Sequence, residues 1–570
     1  MKRGGRRQGL PPALFKINIP LGEQLRRQPV SVENAYQLSF AGSLFQNYFI
    51  VARPIYRITR SCHAIILLAA VIFWACFIPL RADQDQAFPK GQKLTSVVAI
   101  DVRKLGPAER VMISTMQGIL AKSSSTQIFM DEPGPPWMAF LTERYGVTVT
   151  TATNAWELLA QFATNINGYI LYNRETNKDS VNAATSLCGP YHAIAVESSI
   201  EPRVRAAGIT HMIMDVRNRN EEWVYDNYRN LLNPALGAEL NGVIDYHLRD
   251  YAVMANALVF YGNNQLRQRV LEDWSTNGVL MGYTDVSVKG EYGAFVDYSK
   301  RGIPYLGADM AANLSLLSSV YDKNLRQKSH PPEPVAGTNV HYVTFLMSDG
   351  DNVAFDLWSL YFQYQSPSRG KFNMGWPVLA SMVDYAPSVL RWYYENASAI
   401  DGKRDNFIAQ GGIAGAYLDS WPADRLSAYA QKLNAYMKAA DMRVLQTIGS
   451  GGFSRMDVWD KITAQPNIDG IFYNEYGGPN TGQVLFSNGK PVVEIRDVLW
   501  KGIEDETILS KRINSAPRDP RHAEGYTAVL VHGWSMNLDN IQNAITMLAP
   551  DTRVVTPEEF IELIRHNVTQ

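Results

Sequence analysis

Asn339-Val340-His341-Tyr342-Val343-Thr344-Phe345-Leu346-Met347-Ser348-Asp349-Gly350-Asp351 is where the fold of this chain is most legible. A run of β-branched, aromatic and apolar residues from Val340 to Met347 stops abruptly at Ser348-Asp349-Gly350-Asp351-Asn352. Such a run predicts a buried strand. Two carboxylates flanking a glycine at its end can meet a metal, a sugar hydroxyl or each other. In α/β architectures strand ends of this kind open into the ligand crevice. The alternative is a polar turn in which Asp and Asn cap the next helix.

Working outward, the same pattern recurs from 338 to 570. Apolar runs end near Asp349, at Asp384 (after Pro377–Val383), at Asp419 (after Gly415–Leu418), at Gly449, at Glu475 (after Ile468–Asn474) and at His532 (after Thr527–Val531). Weaker strands read at Pro491–Ile495 and Thr552–Val555, with helices between at Pro387–Ala397, Arg425–Ala440, Met456–Ala464 and Leu538–Leu548. Seven or eight βα units in 233 residues predict a TIM-like, distorted (β/α) barrel. An open doubly wound sheet is the rival, and both place ligands at the strand carboxyl ends.

Upstream, residues 93–215 alternate between the two periods. Strands read at Ser96–Asp101, Gln127–Asp131, Val147–Thr151, Gly168–Tyr172 and His192–Glu197, with helices between them. That order predicts parallel βαβ units in a doubly wound sheet. A less regular mixed segment, 216–330, reads as a second α/β domain, and proline-rich Ser329–Gly337 as a linker. No G-x-G-x-x-G follows the first strand, so nucleotide binding has no support.

Hydrophobic content of 46% and charged content of 19% describe an ordinary globular chain. The net charge of −1 hides an asymmetry: residues 83–570 hold 43 Lys+Arg against 53 Asp+Glu. A body that acidic is a poor partner for a phosphate backbone, so nucleic acid is not expected. The basic segment 1–63 precedes an uninterrupted apolar run, Ala64–Leu80, of signal-peptide or minimal-anchor length. Cleavage before Asp83 would release the body. If uncut, 64–80 is a membrane anchor, and either way 83–570 is expected outside the cytoplasm. Only Cys188 lies in that body, which rules out an intrachain disulfide or a cysteine zinc site there.

Glu475, in Phe-Tyr-Asn-Glu-Tyr, ends an apolar strand among aromatics, the setting that raises a carboxyl pKa and supplies sugar platforms. Asp419 and Asp351 complete the candidate catalytic carboxylates. Asp349, Asn352, Asp384, Tyr417, Trp421, Asn474, His532 and Trp534 are the candidate substrate contacts. Asp384, ahead of Tyr385-Ala386-Pro387, also reads as a helix N-cap. The nine histidines contain no H-x-x-x-H or H-x-x-E-H pair, and no G-x-S-x-G elbow is present. No cofactor and no metal are assigned.

Val343-Thr344-Phe345 to Asn352, Gly375-Trp376-Pro377, Leu390–Ala397 and Asp405–Ala409 resemble the glycoside hydrolase family named for a G-x-G-Y-x-Y-P signature. Ala108-Glu109-Arg110, Thr115–Gly118, Gly168–Tyr172, Ser180–Thr185 and Arg249–Ala252 resemble its N-terminal domains, so the likeness spans about 93 to 565. Where the signature falls, this chain reads Ala414-Gly415-Ala416-Tyr417-Leu418-Asp419-Ser420: Tyr417 alone stays in place and Pro422 comes two residues late. More distantly, Asp349/Asp351 and Leu530-Val531-His532 are similar to motifs of polysaccharide deacetylases, whose metal-binding histidine pair has no counterpart here. The resemblance implies a carbohydrate-active protein; with the apolar run 64–80 and the strand-end carboxylates Glu475, Asp419 and Asp351, the expectation is an exported protein that hydrolyses glycosidic bonds with a carboxylate pair. A glycan- or cell-wall-binding protein without catalysis, or a metal-dependent deacetylase, are the alternatives.

Overall fold

The computed structural model describes residues 88–569, apart from 275–277, 288, 329, 332, 333, 335, 476, 477 and 479. The basic extension 1–63 and the apolar segment 64–82 lie outside the described residues. No described helix is long and apolar enough to cross a membrane.

The N-terminal half carries three separate parallel sheets. Strands β1 (Ser96–Asp101), β2 (Thr126–Asp131) and β3 (Thr148–Thr151) form the first, in the order β2-β1-β3. Strands β4 (Gly168–Tyr172), β5 (Ala193–Glu197) and β6 (Met212–Asp215) form the second, in the order β5-β4-β6. Strands β7 (Leu236–Glu239), β8 (Leu258–Phe260), β9 (Val279–Gly282) and β10 (Tyr305–Gly307) form the third, in the order β10-β9-β7-β8. The five strands expected between 95 and 197 therefore form, but in two sheets where the sequence predicts one. The reason is edge occupancy: β3 takes the second edge of β1 and β6 takes that of β4. Neither central strand has an edge left to join the other sheet.

The C-terminal half is built on β11 (His341–Met347), every residue of which is buried. Both of its edges are paired and both faces covered, which is why its sequence is apolar throughout. Its partners are drawn from β12 (Met374–Val378), β13 (Ala399–Ile400), β14 (Lys403–Gln410), β15 (Val444–Gly449), β16 (Gly470–Glu475), β17 (Val484–Ser487), β18 (Lys490–Glu494), β19 (Asp497–Leu499), β20 (Tyr526–Val531) and β21 (Thr552–Val554). The order along the sheet is β17-β18-β16-β15-β14-β12-β11-β20-β19, with β13 on β14 and β21 on β11.

This is a curled half-barrel sheet of mainly parallel strands, the coarser form of the TIM-like, distorted barrel expected from the sequence. After β16 the chain makes the antiparallel β17–β18 hairpin, which takes that end of the sheet. The other end is three-residue β19. A continuous apolar core joins the third N-terminal sheet to the half-barrel, Leu236, Met281 and Leu306 packing in one cluster with Val343 and Trp376.

One expected strand is cut short and another is reduced to bridges. Residues expected to continue as strand to Val383 instead leave the sheet at Val378, and Asp384 sits on a short helix, Met382–Tyr385. The Gly415–Leu418 run makes single bridges, Gly415 with Tyr305 and Tyr417 with Ile448, and then turns into the one-turn helix Leu418–Ser420.

Candidate functional site

The carboxyl end of β11 sets the site. Asp349 adopts a left-handed backbone, φ +67°, which turns the chain sideways off the sheet. Gly350 then passes over β12 so closely that a Cβ would lie 1.8 Å from the Pro377 carbonyl oxygen. Its N–H donates to the Gln410 Oε1 at 3.0 Å. With that oxygen already accepting, the Gln410 amide nitrogen faces Asp351 and donates to its Oδ1 at 3.1 Å. Asp351, though it follows β11, thus stands over the end of β14, two strands away.

Asp351 is half-buried, and loss of water pushes its carboxyl up to about 7, with the charges of Asp349 and Glu291 adding to the rise. Asp356, fully buried in the helix that follows, is raised far above the carboxylate range, chiefly by burial.

The segment after β14 crosses from Asp351 toward β16. Gly411 and Gly415 pack against Asp351; a Cβ on Gly415 would lie 2.9 Å from the Tyr305 carbonyl and 3.3 Å from both Asp351 Oδ2 and a Phe295 ring carbon. The segment then delivers Asp419, 5% exposed, to the loop after β15. There Asp419 Oδ2 accepts from the N–H groups of Ser450 (2.6 Å) and Gly452 (2.8 Å) and from the Tyr473 hydroxyl (3.0 Å). Ser450 Oγ donates to its Oδ1 at 3.2 Å.

Tyr473 and Glu475 share one face of β16 by strand alternation. Glu475, half-buried, is raised above its ordinary value by burial, with Glu494 and Asp419 adding to the effect. Between β14, below Asp351, and β16 lie two strand spacings, about 10 Å.

On the other side of β11, His532 follows β20. Its ring stacks on Trp500 (3.8 Å between centroids, 4° apart) and its Nδ1 meets Ser535 Oγ at 2.7 Å. Burial lowers its pKa, and the charge of Asp349 opposes that shift. Trp534 beside it is 53% exposed and touches Phe355 edge to face. Among the described residues, no group of three or more His, Cys, Asp or Glu side chains is arranged to hold a metal ion.

Residues 339–565 match the family model described as "GxGYxYP putative glycoside hydrolase C-terminal domain". Residues 96–164, 166–232 and 235–319 match the first, second and third N-terminal domains of the same family, and each match contains one of the three small sheets. The crystal structure of a putative hydrolase from Bacteroides thetaiotaomicron is 36% identical, with a TM-score of 0.80, over 85% of this chain and 98% of that one.

The chain belongs to the GxGYxYP family.

No curated protein matches it. In this family member the signature region, Ala414–Ser420, is the strip that joins Asp351 to Asp419. Ala414 and Ala416 are both buried, and the close approach to Asp351 is made by Gly415 between them.

Several candidates are engaged within the fold, Asn352 in the helix-cap role that the sequence offers as the alternative. The side-chain oxygen of Asn352 caps the next helix, accepting from Ala354 and Phe355 N–H at 2.9 and 3.2 Å. Asp384 binds the Tyr436 hydroxyl at 2.7 Å and pairs with Lys90 at 3.3 Å, anchoring the N-terminal segment. Trp421 is 4% exposed and packs 4.4 Å from Tyr429, so it closes the core rather than a sugar site. Asn474 is buried on the face of β16 opposite Glu475. Tyr417 is buried against Phe295 and Tyr292, with its backbone N–H on Ser299 Oγ at 2.9 Å.

Gln410, Glu291, Tyr292 and Trp500 escaped the sequence reading. Only Gln410 left a signal: it ends Asn406-Phe407-Ile408-Ala409-Gln410 before Gly411-Gly412, a strand followed by a turn.

Proposed function

We propose that this protein is a glycoside hydrolase of the inverting type, with Asp351 as general acid and Glu475 as general base. The observation that carries the reading is Asp351 itself: a carboxyl held by Gln410 and raised to about 7 keeps its proton up to near neutrality, as a leaving-group acid must. Glu475 stands across the Gln410–Asp419 strip, about two strand spacings away. A separation of that order suits the roughly 6.5–9.5 Å that an inverting pair needs for its water better than the about 5 Å of a nucleophilic pair. Asp419 is assigned to holding the loop below Glu475, since four donors occupy its oxygens. The family's description and the hydrolase title of the similar structure support hydrolysis. Function outside the cytoplasm, through Ala64–Leu80, is part of the proposal.

The test is a panel of oligosaccharides with the anomer of the first product read by proton NMR. Inverted product, abolished in Asp351→Asn and Glu475→Gln with binding retained, is the expected outcome. Retained configuration would overturn the acid–base pair, and full activity in either variant would remove that residue.

A further inference from the structure

We infer that Tyr292, carried by the third N-terminal sheet's helix Gly290–Lys300, is the platform on which a neutral sugar unit of the substrate stacks beside Asp351. This rests on the carbohydrate reading above and names the substrate class it leaves open.

The helix presents one stripe to the half-barrel. Tyr292, Phe295 and Ser299 follow at i, i+3 and i+7, and all three meet Tyr417. Tyr292 lies 5.8 Å from the Tyr417 ring, Phe295 is stacked on it at 6.1 Å, and Ser299 Oγ accepts its N–H. The helix is anchored from behind by buried Ala294 and Tyr298, and strand β10 clamps the same strip, Tyr305 N–H donating to the Gly415 carbonyl at 2.8 Å. The platform is therefore rigidly placed against the catalytic strip.

Its position relative to the chemistry follows from Gly415. The missing Cβ there would sit 3.3 Å from the Phe295 ring and 3.3 Å from Asp351 Oδ2, so the aromatic stripe and the acid flank one residue. Along the stripe exposure rises outward: Tyr417 is 4% exposed, Phe295 half-buried and Tyr292 40% exposed. A ring whose apolar body is backed by other rings while part of its surface meets water is the form that takes the apolar face of a pyranose.

Charge selects the sugar. Glu291, Asp349 and Asp351 lie on the Tyr292 side, and Glu475, Glu494 and Asp419 across the strip. The cation beside Asp419, Arg455, is already paired with Asp457 at 2.7 Å. A uronate carboxylate placed here meets the like charge of Glu291 and Asp349 beside the protonated acid, whereas a neutral hydroxyl-bearing ring meets acceptors.

The experiment titrates the full chain calorimetrically with neutral gluco-, xylo-, manno- and galacto-oligosaccharides and with oligogalacturonate, for wild type, Tyr292→Ala and Tyr292→Phe. At least one neutral oligosaccharide is expected to bind. Tyr292→Ala should weaken it tenfold or more, and Tyr292→Phe, which keeps the ring, by less than threefold. In turnover, Tyr292→Ala should raise KM with kcat within twofold. Alanine binding like wild type, binding confined to oligogalacturonate, or no binding to any of these sugars each overturns the inference. The hydrolytic reading fails separately: unaltered hydrolysis in Asp351→Asn sinks the acid assignment while the Tyr292 binding contrast still stands or falls by itself.

Discussion

Gln410 donates to Asp351 at 3.1 Å while accepting from Gly350 at 3.0 Å, so one buried amide, oriented by the backbone, holds that carboxyl. The two residues are 59 positions apart in sequence. Because the Gln410 oxygen is occupied by Gly350 N–H, its NH2 group has to face Asp351, and the amide cannot flip without stranding a buried donor.

Gln410→Leu should therefore act on catalysis more than on binding. Removing the donor frees the Asp351 carboxyl to rotate and leaves Gly350 N–H without its acceptor. A fall in kcat of about 10- to 100-fold with KM within threefold is expected, together with about 1–3 kcal/mol lost in stability from the buried N–H. An unchanged kcat would show that the contact does not position the acid.

The titration of Asp351 sets a pH limit on the proposed activity. A general acid works while protonated, so kcat/KM should fall as pH rises through about 7. Asp349→Asn removes one of the charges that raise it, so the basic limb should shift to lower pH in that variant. A limb that stays put would mean that another group titrates there.

The same shift has a stability consequence. The folded pKa of Asp351 is raised above its unfolded value near 3.9, so folding holds a proton that the unfolded chain releases. Stability from this group is complete below pH 4 and is lost as pH rises to about 7, an effect on the order of 2–4 kcal/mol. Asp351→Asn should melt higher than wild type at pH 8 and equally at pH 3.5, by differential scanning fluorimetry. Equal melting at both pH values would place the group's pKa near normal.

Asp419→Ala should be a folding mutant. It strands the Ser450 and Gly452 N–H groups and the Tyr473 hydroxyl, at a cost of about 2–4 kcal/mol. Chemical denaturation measures the loss. Asp419→Asn, which keeps one acceptor oxygen, should lose about half as much.

Trp421→Ala and Trp534→Ala should separate core from surface. Trp421 is 4% exposed, so its removal should cost about 3–5 kcal/mol. Trp534 is 53% exposed, so its loss should move stability by less than about 0.5 kcal/mol and act, if anywhere, on glycan affinity. Comparable destabilisation of the two would contradict these environments.

Export can be read independently of the fold. A fusion of residues 50–95 to a phosphatase that matures only outside the cytoplasm should give signal. Activity lost when Ala64–Leu80 is deleted would tie that signal to the apolar run, and a cytoplasmic reporter would remove the proposal.

Local pattern carried much of this protein. The alternation of periods predicted the strands Ser96–Asp101 and Gly168–Tyr172 to the residue, and the α/β class with them. The run ending at Ser348-Asp349-Gly350-Asp351 marked a strand end rich in carboxylates, and enough of the family's motifs survive to be recognised through an altered signature. These are properties of neighbours in sequence, and hydrophobic periodicity encodes them directly.

Which residues share a site is not local, and only the tertiary structure decided it. The left-handed turn at Asp349 and the passage of Gly350 over Pro377 carry Asp351 two strands sideways, a displacement that no period reports. Asp419 and Glu475 look alike as carboxylates near aromatics, yet four long-range donors occupy Asp419, while Glu475 has burial and like charge. Trp421 and Trp534 look alike as aromatics in loops, and burial alone tells them apart. Tyr292 stands more than a hundred residues before the strip it faces, and packing between the third sheet and the half-barrel puts it there. The closure of the sheet was equally out of reach, because it depended on whether the chain after Glu475 made another crossover or the hairpin of β17 and β18. That choice rests on edge pairing, which is a property of the assembled sheet rather than of any single strand.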